Sequence, residues 1–403
     1  MTDYRKDFPL LCQSGVTYLD NAATAQRPQC VLDAIDTFYR TQNANPMRGL
    51  YPLSVAATAA VERARAAAAR FIGAPSPDTV VFTRNTTESL NLVAYSYGLS
   101  HVCAGDEILV SILEHHSDLL PWQMVCRRTG AKLRFMECAA DGSLDLAQIE
   151  RQIGPRTRIV AVAQVSNVLG REQPVHKIAE IAHRHGAVVV VDGAQSVPHL
   201  PVDVTELGAD FFAFSGHKLG GPMGIGVLYG RRALLEEMPP FLLGGEMIES
   251  VTREDAVFAE IPHRFEAGTL DAAGAVGLHA AIGYLTAVGF DAIRARELAL
   301  TAEAMAGMAK LPGVHVVGSP DPREHHGVVT FTVDDVHPHD VSQILADDGI
   351  AVRAGHHCAQ PLHAHLGLRS TVRASFAYYN TTEDAERFLA SLSTVRERMG
   401  YGR

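Results

Sequence analysis

The sequence lacks closely spaced cysteines, long apolar runs and an excess of basic residues. Its six cysteines form no CxxC pair, so neither a disulfide framework nor a zinc site is predicted. No apolar run approaches the roughly 18 residues that cross a bilayer, and the N-terminus has no apolar signal segment, so we expect a cytoplasmic protein. The 35 basic and 45 acidic residues give a net charge of −10, which argues against a nucleic-acid partner.

Internal repeats and low-complexity linkers are also missing, and what remains is an alternation of apolar strands and helices. The chain has 403 residues, of which 47% are hydrophobic and 20% charged, a globular composition too long for one small core. Strands are predicted at residues 108–112, 132–136, 158–165, 187–191, 211–214 and 224–229. This rhythm predicts an α/β fold with a largely parallel sheet covered by helices on both faces.

The alternation ends at a helical run that begins near residue 290. Strands are predicted after it at residues 328–333, 350–353 and 372–378, and a final helix opens at residues 380–383. We therefore predict a large domain over residues 1–295 and a smaller C-terminal α+β domain over residues 296–403. The N-terminal segment is expected to pack on the smaller domain.

Lys218 lies in an unusual place for a lysine. An apolar strand runs directly into Ser215-Gly216-His217-Lys218 and a glycine-rich turn, after which the next strand begins. On such a connection desolvation lowers the pKa of the amine and makes it a nucleophile towards carbonyls. A solvated surface position is the simpler alternative for a lysine considered alone.

Further polar residues follow the other predicted strands, at the edge of the sheet where ligands of such folds bind. Asp192 ends a buried strand and needs a cationic partner, for which a pyridinium nitrogen is one candidate. Thr86 and Thr87 open a helix, where hydroxyls suit a phosphate, although a simple helix cap is an equal alternative. A carbonyl-reactive lysine, a carboxylate for a pyridinium and a phosphate site are the parts that hold pyridoxal phosphate.

Seven stretches of the sequence carry a resemblance to a known family. They are FTRNTTESLNLVA, EHHSDLLPWQ, VSNVLG, VVVVDGAQSV, FSGHKLGGPMGIGVLY, RFEAGT and RAGHHCAQPL. Together they resemble the cysteine desulfurases of the class V aminotransferase family, specifically the SUF-type (group II) branch, over nearly the whole chain. The resemblance implies PLP-dependent transferase fold type I, with a mostly parallel mixed sheet in the large domain. It also implies a homodimer with the active site at the subunit interface.

The resemblance implies a role for each matching residue. The cofactor-binding set is Thr86, Thr87, His115, Asp192, Gln195, Ser215, His217, Lys218 and Thr269. The substrate-binding set is Asn167, Arg353 and Arg373, and the catalytic set is Lys218, Cys358 and His115. In these roles Lys218 carries the cofactor, Asp192 pairs with its ring nitrogen, His115 stacks on the ring, and Thr269 completes the phosphate site of the partner subunit. No metal ligand is implied.

Cys358 distinguishes this interpretation from its relatives. It lies in a loop with glycine before it and proline after it, flanked by histidines and an arginine, and positive neighbours raise the thiolate fraction of a thiol. A buried structural cysteine is the alternative. The resemblance implies that Cys358 takes sulfur from L-cysteine as a persulfide, that L-alanine is released, and that an acceptor protein receives the sulfur for iron–sulfur cluster assembly.

Other functions remain open at this point. A selenocysteine lyase or a cysteine-sulfinate desulfinase could use the same scaffold without Cys358, and a non-catalytic scaffold for sulfur-transfer partners is an alternative of another class. His337 and His339 are most simply solvated loop residues, whereas the resemblance implies that His339 docks a zinc-containing SufU-like acceptor rather than a SufE-like one. The chain departs from the commoner family residues at four positions, which bear on substrate preference and acceptor docking: Met47, Tyr51, Gln164 and Arg171.

Overall fold

A seven-stranded sheet forms the centre of the structure, a computed structural model that describes residues 2–401. The strands within that range are β1 (Thr17–Tyr18), β2 (Val80–Thr83), β3 (Glu107–Ser111), β4 (Lys132–Met136), β5 (Thr157–Ala163), β6 (Val188–Asp192), β7 (Phe211–Ser215), β8 (Gly226–Gly230), β9 (Ile248–Val251), β10 (Ala256–Phe258), β11 (Val314–Val317), β12 (Val328–Val333), β13 (Ile350–Ala351), β14 (Arg353–Gly355) and β15 (Thr371–Ser375). The helices there are α1 (Pro9–Ser14), α2 (Gln29–Thr41), α3 (Pro52–Phe71), α4 (Thr86–Leu92), α5 (Leu99–His101), α6 (Leu120–Thr129), α7 (Leu146–Gln152), α8 (Val175–Arg184), α9 (Arg232–Glu237), α10 (Ala272–Val288), α11 (Phe290–Met308), α12 (Pro338–Asp347), α13 (Gln360–His365), α14 (Thr382–Leu392) and α15 (Val395–Arg398). Residues 1, 402 and 403, at the ends of the two predicted domains, lie outside the described residues.

The order of strands in the central sheet is β2-β8-β7-β6-β5-β3-β4. Neighbours from β7 to β4 run parallel, and β8 runs antiparallel to both β2 and β7. The predicted mostly parallel mixed sheet of fold type I is therefore confirmed.

The valines of β6 explain why its sequence is continuously apolar. Val189 and Val191 pack into a core with helices α2, α3, α8 and α10, whereas Val188 and Val190 pack into a second core with α4, α6 and α9. Because successive side chains of a strand point to opposite faces, and helices cover both faces, polar residues have no favourable position until the strand ends. The first polar side chain is Asp192.

A second, four-stranded antiparallel sheet has the order β11-β12-β15-β14 and packs against α11, α12 and α14. The first strand of the chain packs with this C-terminal region, because β1 pairs in parallel with β13 and Leu19 lies in the core beneath the four-stranded sheet. The predicted division between residues 295 and 296 falls inside α11 and stays a prediction.

Several element boundaries are set by local features. A serine such as Ser54 before an alanine-rich run is typical of a helix N-cap, but α3 begins at Pro52, a residue favoured at the first helical position. The Ser54 hydroxyl instead donates to the carbonyl of Asn45 at 2.7 Å. The strand predicted at 350–353 is two strands, since β13 pairs with β1 and β14 with β15. The helix that opens at Thr86 changes to a π-helical turn at Val93–Gly98.

No single helix in residues 2–401 is both long enough and apolar enough to cross a membrane. Helices α10 and α11 reach that length and composition only as a pair, and the two are bent by 76° relative to each other.

Candidate active site

The predicted site residues meet in one cavity of about 280 Å³. Those that line it are Thr86, Thr87, His115, Asn167, Asp192, Gln195, Ser215, His217, Lys218, Arg353, Cys358 and Arg373. Thr269 is exposed and does not line the cavity of its own chain. Lining residues that the sequence did not indicate are Ala22, Ala23, Asn85, Ser117, Ala194 and His357. Of these, His357 could have been found from its position next to Cys358.

Lys218 ends a short turn, Gly216–Lys218, that follows β7. No hydrogen bond holds its amine among residues 2–401. Burial lowers the pKa of Lys218 to about 8, although the carboxylate of Asp192 opposes this shift. With this pKa about a tenth of the amine is uncharged at pH 7, far more than for an ordinary lysine, and is available as a nucleophile or a base.

Asp192 ends β6 and accepts a hydrogen bond from the backbone N–H of Ala194 at 2.8 Å. Burial raises the pKa of Asp192, and the positive charge of Lys218 limits the shift. The following residue must be glycine, because a Cβ on Gly193 would lie 1.9 Å from the ring of Phe212. A cationic ligand at this carboxyl group would keep it ionised.

His115 presents a neutral ring to the cavity. Its Nδ1 accepts the backbone N–H of Ser117 at 3.1 Å, so the ring proton is on Nε2. Burial, and next the charge of Lys218, lower the pKa of His115 to about 3. An uncharged imidazole suits stacking on a flat, cationic ring.

Hydroxyl groups gather at the start of α4. The backbone N–H of Thr86 donates to Ser215 Oγ at 2.8 Å, and Thr87 Oγ1 lies 2.7 Å from Ser117 Oγ. Strand β8 approaches closely because its first residue is glycine: a Cβ on Gly226 would lie 2.5 Å from Asn85 Cα. Hydroxyls and amides at a helix N-terminus suit a phosphate.

Arg373, on β15, has an unused hydrogen-bond donor. Its Nη1 donates to the carbonyl of Asn167 at 2.7 Å, while its Nε is buried without a partner in residues 2–401. Asp20 pairs with both arginines, at 2.9 Å with Arg353 and at 3.5 Å with Nη2 of Arg373. The Nε of Arg373 is therefore available to donate to a substrate carboxylate.

Cys358 lies on a turn in which both His357 and Cys358 have positive φ, 50° and 56°. The turn is held from outside, because the carbonyl of Cys358 accepts the N–H of His116 and the carbonyl of His357 accepts Asn167 Nδ2, both at 2.7 Å. The thiol is exposed. Three cationic side chains line the same cavity as this thiol, namely Lys218, Arg353 and Arg373.

These residues fit pyridoxal phosphate. The cavity is lined by a buried carboxyl group that would pair with a cation, a neutral imidazole, a group of hydroxyls and an amine without a hydrogen bond. None of the four departures from the family pattern lines this cavity: Met47, Tyr51, Gln164 and Arg171. Arg171 is engaged by Asp141 and Glu324. Within residues 2–401 no three His, Cys, Asp or Glu side chains converge as a metal site.

A pair of buried carboxyl groups lies behind the site. Glu114 Oε1 accepts the N–H of Ala163 at 2.8 Å, and Asp118 Oδ1 accepts Trp122 Nε1 at 2.8 Å. Glu114 Oε2 and Asp118 Oδ2 are each buried without a hydrogen-bond partner in residues 2–401, and a proton held by one of these two interacting acids would satisfy both oxygens. Burial raises the pKa of Glu114 to about 7 and raises that of Asp118.

We expect Asp118→Asn to change how stability depends on pH. Acids whose pKa is raised by folding bind protons more tightly in the folded chain, so the parent loses stability as pH rises from the unfolded pKa of 4.5 towards about 7. Over about pH 5 to 8 the free energy of unfolding should fall less in Asp118→Asn than in the parent, because the variant lacks the buried acid whose pKa is raised well above its usual value. Urea unfolding at each pH measures this. Exposed Asp255→Asn is the control, and parallel curves for parent and Asp118→Asn would contradict the shared proton.

Comparison with known proteins gives one consistent family. Residues 17–388 match the model of the family described as aminotransferase class V. A probable cysteine desulfurase from Halalkalibacterium halodurans is 49% identical, over 99% of this chain and 98% of that protein. The apo structure of a cysteine desulfurase from Thermococcus onnurineus NA1 is 44% identical, covers 98% of both chains and has a TM-score of 0.94. A structure of a C-DES variant with glycine covalently linked to its PLP cofactor is 27% identical, with a TM-score of 0.84 over 97% of this chain and 99% of the other.

Proposed function

Since this chain belongs to the class V aminotransferase family and is a pyridoxal-phosphate-dependent cysteine desulfurase, we propose that it is of the SUF type and stores the sulfur of L-cysteine as a persulfide on Cys358. The observation that supports this most directly is that the exposed thiol of Cys358 shares a cavity with Lys218 and Arg373. A selenocysteine lyase or a desulfinase would need no thiol there.

Each residue of the cavity has its own role in the proposed reaction. Pyridoxal phosphate, when bound, supplies a ring that withdraws electrons from the Cα of an amino acid. Arg373 and Asn167 hold the substrate carboxylate, and Nζ of Lys218 takes the Cα proton. Asp192 keeps a positive charge on the ring nitrogen favourable.

Cys358 then receives the sulfur. Its thiolate forms an S–S bond to the substrate sulfur as the Cβ–S bond breaks, and the carbon fragment keeps the electron pair of that bond. After protonation this fragment leaves as L-alanine, and the sulfur remains on Cys358 as a persulfide.

We propose a homodimer in which Thr269 completes the phosphate site of the partner subunit. Thr269 is exposed on a loop whose start is anchored, because buried Glu266 pairs with buried Arg65 at 2.6 Å and accepts the N–H of Phe82 at 2.7 Å. Leu50, Tyr51, Leu53 and Val55 are all exposed, and a subunit interface would explain such a run of exposed apolar residues.

The sulfur acceptor that we favour is a SufU-like protein, and the proposed destination is iron–sulfur cluster assembly in the cytoplasm. His339 lies in the first turn of α12 with its side chain exposed. Its ring is 5.1 Å from that of His337, whose Nδ1 accepts the N–H of His339. An exposed imidazole with no hydrogen bond of its own among residues 2–401 is a suitable ligand for a partner's zinc ion.

We expect His339→Ala to slow persulfide transfer to a SufU-like protein by at least about tenfold, because one metal ligand is lost. Alanine release with a small thiol as acceptor should not change, since His339 lies outside the cavity. Transfer of labelled sulfur measures the first effect, with exposed His315→Ala as the control. Transfer to a SufE-like protein alone, with none to the SufU-like one, would contradict this choice of acceptor.

A further inference from the structure

Two buried histidines and a threonine form a chain of hydrogen bonds behind the Cys358 turn. Thr371 Oγ1, at the start of β15, lies 2.9 Å from His357 Nε2 and 3.0 Å from His363 Nε2. His363 Nδ1 lies 3.0 Å from the carbonyl oxygen of Ala359. All three side chains are buried. These hydrogen bonds therefore connect His357, which precedes Cys358, to Ala359, which follows it.

The donors and acceptors of these hydrogen bonds can be assigned in only one way. A carbonyl oxygen accepts but never donates, so His363 carries its proton on Nδ1. Burial lowers the pKa of His363, so the ring is neutral and its Nε2 accepts the Thr371 hydroxyl proton. Thr371 Oγ1 is then left to accept a proton from Nε2 of His357.

His357 consequently carries its single ring proton on Nε2, and its Nδ1 is unprotonated. Burial, and next the charge of Arg373, lower the pKa of His357 to about 2, so the ring is not doubly protonated. Its Nδ1 is buried and has no hydrogen-bond partner in residues 2–401. A buried acceptor without a donor destabilises the site that contains it. Because His357 lines the cavity and precedes Cys358, a bound molecule is the available source of a donor.

We propose that Thr371 and His363 are positioning residues that hold His357 with its Nδ1 unprotonated. This Nδ1 then accepts a hydrogen bond from the S–H of bound L-cysteine. This bond turns the substrate sulfur towards Cys358. The proposal rests on the proposed function, in which Cys358 is the sulfur acceptor. The substrate thiol suits the acceptor because it is mostly protonated near neutral pH. The opposite tautomer of His357 would present an N–H and could not serve. No proton needs to be transferred to His357.

Thr371→Val tests this proposal, because valine keeps the shape of threonine and removes its hydroxyl. We expect kcat/KM for L-cysteine to fall about tenfold, the loss of one well-placed hydrogen bond, and Thr371→Ser to restore it. L-selenocysteine is the matched substrate, since its selenol is ionised near neutral pH and has no proton to donate. Its kcat/KM should be the same in the parent and in Thr371→Val.

Alkylation of Cys358 by iodoacetamide gives a measurement without substrate. An unchanged rate in Thr371→Val supports the proposal, because the Cys358 turn is then still in place. A changed alkylation rate, or an equal loss for both substrates, would overturn it in favour of a purely structural role. If Thr371→Val does not fold, His363→Met removes the acceptor of the Thr371 hydroxyl and is judged by the same ratio of substrates. Failure of the proposed function would appear separately, as persistent turnover in Cys358→Ser.

Discussion

Replacing Cys358 by serine should abolish release of alanine from L-cysteine, with kcat at least about 10³-fold lower, because a hydroxyl cannot take sulfur as a thiolate can. The cofactor should stay bound, since no hydrogen bond of Asp192, Thr86 or Ser215 involves the Cys358 side chain. Alanine is measured with a thiol acceptor present, and the visible absorption of the protein reports the cofactor.

Cys103→Ser is the matched control, because Cys103 is also exposed but lies outside the cavity. It should behave as the parent does. If Cys358→Ser turned over L-cysteine as fast as the parent, Cys358 would not be the sulfur carrier. A lyase or desulfinase mechanism, which needs no protein thiol, would then explain the activity better.

Lys218→Ala should lower kcat by at least about 10⁴-fold, because the variant loses both the amine that carries the cofactor and the base for the Cα proton. The effect should exceed that of losing a binding contact, because no other nitrogen among the described lining residues can replace Lys218 as the base. His115 and His217 have pKa values of about 3 and about 4, both lowered mainly by burial, and the arginines remain protonated.

The control for this change is Lys177→Ala, at an exposed position on α8. Single-turnover alanine release separates the chemical step from sulfur transfer to an acceptor. Substantial single-turnover activity in Lys218→Ala would mean that another group takes the Cα proton. In that case the lowered pKa of Lys218 would have no role in the transfer of this proton.

The fold and most of the cavity could be predicted because the informative residues are local. Asp192 and Lys218 each follow a short apolar strand, and adjacent strands of a largely parallel sheet bring their ends together. Neither residue needs a distant partner to be recognised. Each motif places its residue at this edge of the sheet, and only their combination with a phosphate site predicts the cofactor.

Features that depend on pairing between distant segments could not be predicted. The hydrogen bonds of Thr371 to His357 and His363 arise from tertiary packing, and nothing at position 371 signals them in the sequence. The ion pair of Arg353 with Asp20 joins residues 333 positions apart. The proton shared by Glu114 and Asp118 likewise needs complete burial, which four residues of spacing do not imply.

The pairing of β1 with β13 has a consequence for the protein during its synthesis. The ribosome makes Asp20 among the first residues, but its partners Arg353 and Arg373 emerge only when the chain is nearly finished. Lys218 and Asp192 emerge well before them. A nascent chain can therefore assemble the cofactor end of its cavity while it still lacks the arginines and the thiol. We expect the growing polypeptide to form the cofactor end of this cavity before the end that accepts sulfur.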